Sequence, residues 1–165
     1  METHDQGLRP LSRAQCLRLL SGIRIGRVVV TLGAFPAAFP VNFALLDDDV
    51  VFRTAPGTKL SAALAGAAVA FQADRIDPIR GNGWSVLLQG SASILTAPEE
   101  LERARALRIR PWAPGDRPHF VRIRAEVVSG RRLPTTHDAL AVNVPPALQK
   151  PALRFVRIPG ETTGT

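Results

Sequence analysis

The chain has 165 residues, of which 45% are hydrophobic and 21% are charged, and these proportions exclude a wholly disordered chain and predict one globular domain. Aromatic residues make up only 5% and tyrosine is absent, so a nucleic-acid surface built on base stacking is not expected. The formal net charge is +7, and arginine supplies nearly all of the positive charge, which suits an anionic ligand or nucleic acid. A preference for arginine over lysine also follows from a GC-rich genome without any functional demand, which is the simpler explanation.

Cysteine usage and hydropathy indicate a cytoplasmic protein. Cys16 is the only cysteine, so an intrachain disulfide is impossible and a reducing compartment is expected. The start of the chain lacks a basic segment followed by an apolar one, so no secretion signal is predicted. The longest weakly apolar run, residues 28–46, is broken by glycine and proline, and we expect no membrane partner. The three histidines are scattered, which predicts no metal site.

The N-terminal part of the chain predicts one short helix. Residues 1–10 are polar and are expected to form a flexible N-terminus. Ser12 can cap a helix that contains Cys16 and ends at Gly22. The cysteine is expected to be a small side chain packed inside the domain.

Strands dominate the rest of the chain. Branched and aromatic residues predict them at residues 25–32, 40–46, 50–54, 67–74, 84–95, 119–124 and 127–132. Helices are predicted to begin at Thr58 and Pro98. The connections are too short for repeated parallel crossovers, so a mainly β, antiparallel barrel is favoured over a doubly wound sheet. Residues 134–165 are rich in proline and threonine, which predicts a C-terminal extension.

The stretch at residues 50–60 collects cationic and hydroxyl groups at the end of a strand. Arg53 and Thr54 follow three apolar residues, and a proline and a glycine then end the strand. Thr58 and Lys59 come at the start of the predicted helix. A guanidinium, an ammonium, two hydroxyls and free helix N–H groups within one turn suit a phosphate monoester.

These short motifs allow other interpretations. A solvated turn would contain the same charged residues, and the residues alone do not separate it from a phosphate site. A strict phosphate-binding P-loop is excluded because the order is Gly57-Thr58-Lys59 instead of Gly-Lys-Ser/Thr. Ser85 lies in a sequence similar to a nucleophile elbow, but the closing glycine is missing, which argues against a serine hydrolase.

Several motifs together resemble the flavin-binding split-barrel proteins of the pyridoxamine 5′-phosphate oxidase-like superfamily. The matching segments are residues 26–30, 40–43, 51–60, 83–90 and 120–123, which occur in the family's order. The most specific feature is the combination of Arg-Thr and Gly-Thr-Lys in one segment with a later Gly-Trp-Ser-Val. The resemblance implies a mainly β fold, an antiparallel and Greek-key-like split β-barrel, over residues 11–133.

The resemblance also implies FMN as the cofactor, bound between the two subunits of a homodimer. In such proteins the phosphate is held by residues matching Arg53, Thr54 and Lys59, and Thr58 lies beside them. This implication agrees with the argument from charge made for residues 50–60.

Two further segments are implied to contact the flavin ring. The strand that passes the ring matches Pro40, Val41 and Asn42. Trp84 and Ser85 are implied to lie near the flavin, and either the same chain or the partner chain could contribute them. The alternative is structural, because a tryptophan at the start of a strand is most often part of the core.

The implied function is that of an FMN-dependent oxidoreductase acting on a small molecule, but similarity of fold does not determine the reaction. No catalytic residue is assigned, because a flavin carries the hydride chemistry and the protein orients it. His119 and Trp112 are candidates for lining a substrate pocket. The alternatives are a deazaflavin-dependent reductase, a non-catalytic flavin- or haem-binding sensor, and a basic nucleic-acid binder. The last is not expected, because the cationic cluster at residues 53–59 lies at a predicted helix start.

Overall fold

The computed structural model describes residues 8–58, 64, 66–112 and 114–133. Two helices and eight strands lie within those residues. The helices are α1 (Arg13–Ser21) and α2 (Pro98–Ala106). The strands are β1 (Arg9–Pro10), β2 (Ile25–Leu32), β3 (Phe35–Leu46), β4 (Asp49–Thr54), β5 (Ala68–Asp77), β6 (Asn82–Ile94), β7 (His119–Ile123) and β8 (Val127–Leu133).

The strands form an antiparallel Greek-key barrel. Hairpins join β2, β3 and β4, and β5 returns to pair with β2, which gives the spatial order β5-β2-β3-β4. Strand β6 pairs with β5, and β7 pairs with both β4 and β6, so six of the described strands close a barrel. Strands β8 and β1 continue the sheet beyond β6. The predicted mainly β, split β-barrel fold is confirmed.

Strand β6 belongs to both halves of the barrel because it changes partners along its length. Up to Gln89 it pairs with β8, and from Ala92 it pairs with β7. Gly90 lies at this change, where the backbone of the neighbouring segment approaches so closely that a Cβ would overlap the carbonyl oxygen of Arg124. The glycine that the sequence marks inside a strand therefore permits a close approach of two backbones.

Two apolar clusters stabilise the barrel. The larger lies inside it and includes Phe43 and Phe71, whose rings pack edge-on with centroids 4.7 Å apart. The smaller covers the outer face of β3, β4 and β7 and is formed with α2 and the segment after it. Its buried members are Ala44, Leu46, Val51, Leu95, Ala104, Ile109 and Phe120. Helix α2 therefore covers part of the outer face of β3 and β4, and the ends of these two strands lie at the edge of the covered surface.

Helix α1 begins and ends where the sequence predicts. The Ser12 hydroxyl accepts a hydrogen bond from the Gln15 backbone N–H, and the Gln15 side chain accepts one from the Ser12 N–H, which forms a capping box. Gly22 is the C-cap. Cys16 is fully buried beside Gly130, and this burial raises the pKa of its thiol.

The structure differs from the sequence prediction at several boundaries. Strand β3 begins at Phe35 instead of residue 40, because a turn at Gly33 folds this part of the chain back along the whole of β2. Within the expected flexible N-terminus, Arg9 and Pro10 form β1 against β8, since their backbones meet an open strand edge. Residues 1–7 and the extension at 134–165 lie outside the described residues, as does the predicted helix beyond Thr58.

Neither α1 nor α2, the helices of the described part of the chain, has the length and apolar character that crossing a lipid bilayer requires.

Candidate functional site

A cavity of about 450 Å³ opens on the outer side of β3 and β4, at the edge of the surface that α2 and the segment after it cover. Its volume is in the range of small-molecule binding sites. Apolar side chains and proline rings form most of its wall, and two arginines are its charged groups. The lining residues are Ile25, Phe39, Pro40, Val41, Asn42, Arg53, Thr54, Thr58, Pro111, Trp112 and Arg117.

The structure brings six of the nine residues selected from the sequence to this one cavity. Three come from consecutive positions of β3, two from the end of β4, and one from the turn that follows β4. They are Pro40, Val41, Asn42, Arg53, Thr54 and Thr58. Lys59, the seventh residue selected for this cluster, lies outside the described residues.

Arg53 is held in place through one nitrogen of its guanidinium. Its Nε donates to the backbone oxygen of Arg117 at 2.8 Å, and the guanidinium carbon lies 5.4 Å from the centre of the Phe120 ring. Among the described residues no carboxylate lies within ion-pair distance of Arg53. Its two terminal nitrogens are therefore available to an anionic ligand.

Two threonine side chains line the same cavity as this guanidinium. Thr54 is almost fully buried, and its Oγ1 lies 3.5 Å from Oγ1 of Thr58. Both hydroxyls are within hydrogen-bond distance of the Ala55 carbonyl oxygen, at 3.4 Å for Thr54 and 3.2 Å for Thr58. Because hydroxyl hydrogens rotate, these groups can turn to donate to a bound oxyanion.

The side chain of Asn42 is oriented by the backbone of Trp112. The N–H of Trp112 donates to Oδ1 of Asn42 at 3.0 Å, so the amide oxygen faces the loop and the NH₂ group is left as the available donor. Trp112 lines the cavity, as the sequence interpretation expects of it. His119 does not line it: this residue pairs with Thr54 across β4 and β7.

Arg117 is a cavity residue that the sequence analysis does not select. Its Nε is buried and has no hydrogen-bond partner among the described residues, which is costly unless a ligand or a water supplies one. With Arg53 it makes the lining positive, and no acidic residue is among the described lining groups. In the sequence, the position of Arg117 between prolines at 114 and 118 is the only local feature that marks it. Its contact with Arg53 arises from strand pairing, which the local sequence does not show.

Trp84 and Ser85 do not line this cavity. Both are on β6, where they face Arg132 and Arg131 of β8. Trp84 is buried in the apolar cluster inside the barrel, and it also lines a separate cavity of about 590 Å³ whose walls are partly polar and partly apolar. The remaining lining residues are Arg9, Arg75, Ile76, Asp77, Pro78, Asn82, Gly83, Arg132 and Leu133. Within one copy of the chain, the residues selected from the sequence therefore lie in two separate places, the first cavity and strand β6.

The second cavity contains an acidic group that is well stabilised as an anion. The backbone N–H groups of Arg80 and Ile79 donate to the carboxylate of Asp77 at 3.0 Å, which lowers the pKa of Asp77. In the described part of the chain no three His, Cys, Asp or Glu residues gather as metal ligands.

Comparison with known proteins places the chain in a family. The family model described as pyridoxamine 5′-phosphate oxidase matches residues 12–132. Over 128 residues the chain is 39% identical to the uncharacterised protein Rv0080 of Mycobacterium tuberculosis, which covers 74% of this chain and 84% of that protein.

Two solved structures give the same result. The FAD binding protein from Mycobacterium smegmatis is 35% identical, with a TM-score of 0.68 and coverage of 76% of this chain and 100% of that one. An FAD-binding protein from Mesorhizobium loti is 26% identical, with a TM-score of 0.64 and coverage of 77% and 99%. With a family model that spans nearly all of the described barrel, the chain belongs to the pyridoxamine 5′-phosphate oxidase family.

Proposed function

We propose that this protein is a cytoplasmic flavoprotein that binds FMN in the cavity beside β3 and β4 and uses it to oxidise or reduce a small molecule. One observation carries the proposal: residues from β3, from β4 and from the following turn meet in a single apolar cavity that holds two arginines and no acidic lining residue among those described. Such a cavity suits a flat aromatic ring joined to an anion.

The phosphate of FMN would lie between Arg53 and the hydroxyls of Thr54 and Thr58. The free terminal nitrogens of Arg53 can form two parallel hydrogen bonds to phosphate oxygens. Arg117 contributes a second positive charge and a buried nitrogen that needs a partner. Lys59 is part of the same proposed cluster on the ground of the family resemblance.

The flavin ring would lie along β3. Pro40 and Val41 present backbone and apolar surface, and the NH₂ group of Asn42 can donate to a ring oxygen or nitrogen. When bound, the flavin supplies hydride transfer. The residues of this chain hold the ring, orient its edge through Asn42 and exclude water with Ile25 and Trp112. The names of the relatives from M. smegmatis and M. loti, both FAD-binding proteins, support a flavin as the ligand.

We infer that a second copy of the chain completes the site. Residues Ile25, Arg27 and Val29 form an outward row on β2, and Ile25 also lines the cavity, so the cavity adjoins the outer face of the sheet. This face continues over β5, β6 and β8 and exposes Leu87 and Val127. On this face the two apolar side chains lie among polar ones such as Gln72 and Asp74, and a mixture of apolar and polar groups is typical of a protein interface. A copy docked there would bring its own Ser85, on the same side of β6 as Leu87, toward the cavity, whereas Trp84 stays in the core inside the barrel.

The test is an absorption spectrum of the purified protein, followed by mass spectrometry of the ligand released on denaturation. We expect the bands of an oxidised flavin and the mass of FMN. A Soret band would indicate haem, and a deazaflavin mass would identify the alternative cofactor. A colourless protein that does not take up added FMN would contradict the proposal.

A variant then tests the assignment of residues. Arg53→Gln removes a charged double hydrogen bond, so we expect the Kd for FMN to rise about tenfold to a hundredfold. Arg18→Gln, an exposed α1 residue that does not line the cavity, is the matched control and should bind as the wild type does. Equal affinity in Arg53→Gln and wild type would exclude Arg53 from the site.

A further inference from the structure

The second cavity, which lies where β5 ends and β6 begins, is not used by the proposed flavin site. We propose that it binds a phosphate monoester other than the flavin, held between Arg75 and Arg132. Its volume of about 590 Å³ is in the range of sites that bind small molecules. The inference does not depend on the proposed function, because none of the residues that line this cavity lines the first one.

The strand register places one arginine on each side of Trp84. This tryptophan pairs with Arg75 of β5 on one side and with Arg132 of β8 on the other. Directly paired residues point to the same face of a sheet, and here it is the face on which Val86 and Leu88 enter the core. The Cα atoms of the two arginines are therefore roughly 10 Å apart, twice the spacing between neighbouring strands. Two arginine side chains can close around one anion over that span.

The same face of the sheet supplies the rest of the polar lining. On β1, Arg9 pairs with Arg132 and so extends the row by one strand. Asp77 pairs with Asn82 two residues further along β5 and β6, which returns to the same face. The polar groups of the cavity thus come from four adjacent strands, in the order β1-β8-β6-β5.

Arg75 and Arg132 have no counter-charge in the part of the chain that the structure describes. No carboxylate of a described residue lies within ion-pair distance of either guanidinium. The carboxylate of Asp77 is engaged by Arg80, whose Nη1 lies 3.7 Å from Oδ2, and by the backbone N–H groups of Ile79 and Arg80. The described lining contains three arginines and one aspartate, an excess of two positive charges, which is close to what a phosphate monoester neutralises near pH 7.

The backbone fixes the positions from which these side chains extend. The N–H of Gly81 donates to the Asp77 carbonyl oxygen at 2.8 Å and closes the turn between β5 and β6. A Cβ on Gly83 would overlap the carbonyl oxygen of Arg75, so a glycine is required for the two strands to run this close beside the cavity. Cations that extend from an ordered hairpin lose less freedom on binding than cations of a loose loop.

A tetrahedral phosphate suits two guanidinium groups that approach from opposite sides. Each guanidinium can donate two parallel hydrogen bonds, and the three terminal oxygens of a phosphate monoester can accept from both. A carboxylate has two oxygens, which a single guanidinium occupies. The amide of Asn82 adds a further donor at the wall of the cavity.

The apolar lining indicates that the phosphate carries a small organic group. Trp84, Ile76, Pro78 and Leu133 form this part of the wall, and Ile76 is 48% exposed. An aromatic ring or short carbon chain bound there would cover apolar surface that now contacts water, which favours an ester over inorganic phosphate.

Calorimetric titration of the full chain with phenyl phosphate tests the site, with saturating FMN present to occupy the first cavity. We expect Kd to rise by about tenfold for each guanidinium removed in Arg75→Gln/Arg132→Gln. Arg18→Gln/Arg110→Gln removes the same charge from two exposed positions outside the lining and is the matched control, which should bind as the wild type does. Benzoate, with a carboxylate on the same ring, should bind the wild type at least about tenfold more weakly.

Fluorescence locates the bound phenyl phosphate. The sequence has two tryptophans, so Trp112→Phe leaves Trp84 as the only one. We expect phenyl phosphate to change its emission without FMN present, and Arg75→Gln/Arg132→Gln in the same background to abolish the change. Heat of binding without a change in Trp84 emission would place the ligand elsewhere and contradict the inference.

The outcomes separate this inference from the proposed function. An equal Kd for phenyl phosphate in Arg75→Gln/Arg132→Gln and in wild type would exclude the site. Loss of FMN binding in that variant would make the cavity part of the flavin site, and oligonucleotide binding through the same arginines without phenyl phosphate binding would make it a nucleic-acid surface. A protein that binds phenyl phosphate beside Trp84 but takes up no FMN would leave this inference intact while the proposed function fails.

Discussion

At the scale of single residues, the candidate site contains polar side chains that use only some of their hydrogen-bonding atoms on partners within the chain. Nε of Arg53 donates a hydrogen bond to a backbone oxygen, and the amide oxygen of Asn42 accepts one from a backbone N–H. In each case the remaining donors are the atoms that a ligand can engage. A positioned donor costs less to order on binding than a free side chain, which favours affinity.

A carboxylate outside the site links stability to pH. The hydroxyl of Ser91 donates to Oε1 of Glu126 at 2.6 Å, and the Ser91 backbone N–H donates to the same oxygen at 3.2 Å. These bonds hold the pKa of Glu126 below the ordinary glutamate value of about 4.5. Its contribution to stability is therefore complete above the unfolded-state pKa and is lost as the pH falls through the lower folded-state pKa.

We expect Glu126→Gln to remove this pH-dependent contribution. Urea unfolding midpoints at pH 7 and pH 3 would show wild type losing more stability on acidification than the variant does. Glu102→Gln changes an exposed residue of α2 and is the control: it should lose as much stability between pH 7 and pH 3 as the wild type does. An identical pH dependence in wild type and Glu126→Gln would show that the bond to Ser91 contributes nothing.

At the scale of elements, β6 joins the two halves of the barrel because it serves one partner strand after another. The change requires that β6 and the segment after β7 approach closely at Gly90. The β-branched and aromatic residues of the strands determine which face of each strand points into the barrel. The close approach of the two backbones, however, is possible because residue 90 is a glycine. Closure of the barrel in turn positions β4 against β7 and hence Arg53 over Phe120.

We expect Gly90→Ala to destabilise the fold by about 1–3 kcal/mol or more, because the added Cβ meets a backbone carbonyl that cannot move aside as a side chain can. Thermal or urea unfolding measures the loss. Gly22→Ala is the matched control, since its φ is −85° and the nearest atom to its added Cβ, the Leu19 oxygen, is at an ordinary contact distance of 3.5 Å. Equal stability of the two variants would contradict the close approach.

At the scale of the whole molecule, the divided positions of the selected residues favour a second copy. Trp84 and Ser85 lie on β6, away from the cavity that contains Asn42 and Arg53. We propose that a face-to-face association of two barrels brings Ser85 to the partner's cavity and buries the exposed side chains of Leu87 and Val127, whereas Trp84 stays in the core.

Leu87→Glu tests this association. A carboxylate in an apolar interface is unfavourable, so we expect sedimentation to show a wild-type dimer and a monomeric variant, with weaker FMN binding in the monomer. Ile94→Glu is the matched control, because Ile94 is on the same strand with similar exposure, 38% against 36%, but lies beyond the change of partners. A dimeric Leu87→Glu protein would place the interface on another face.

Much of the fold follows from local patterns in the sequence. The branched residues of β2 predict its exact span, and Ser12 and Gly22 mark both ends of α1. The boundaries of β3 and β5 are less well predicted. Proline and alanine at residues 36–38 have little strand propensity, and they are extended here because β2 offers them hydrogen-bonding partners.

By itself, the sequence determined the strand pattern, the capped helix and the group of Arg53, Thr54 and Thr58, because all of these depend on residues within one turn or one strand of each other. The family resemblance implied that Asn42 lies near this group, and only the tertiary structure decided that Arg117 joins it and that Trp84 does not. Those positions depend on which strands pair and in which register, and barrel closure, a property of the whole chain, sets both.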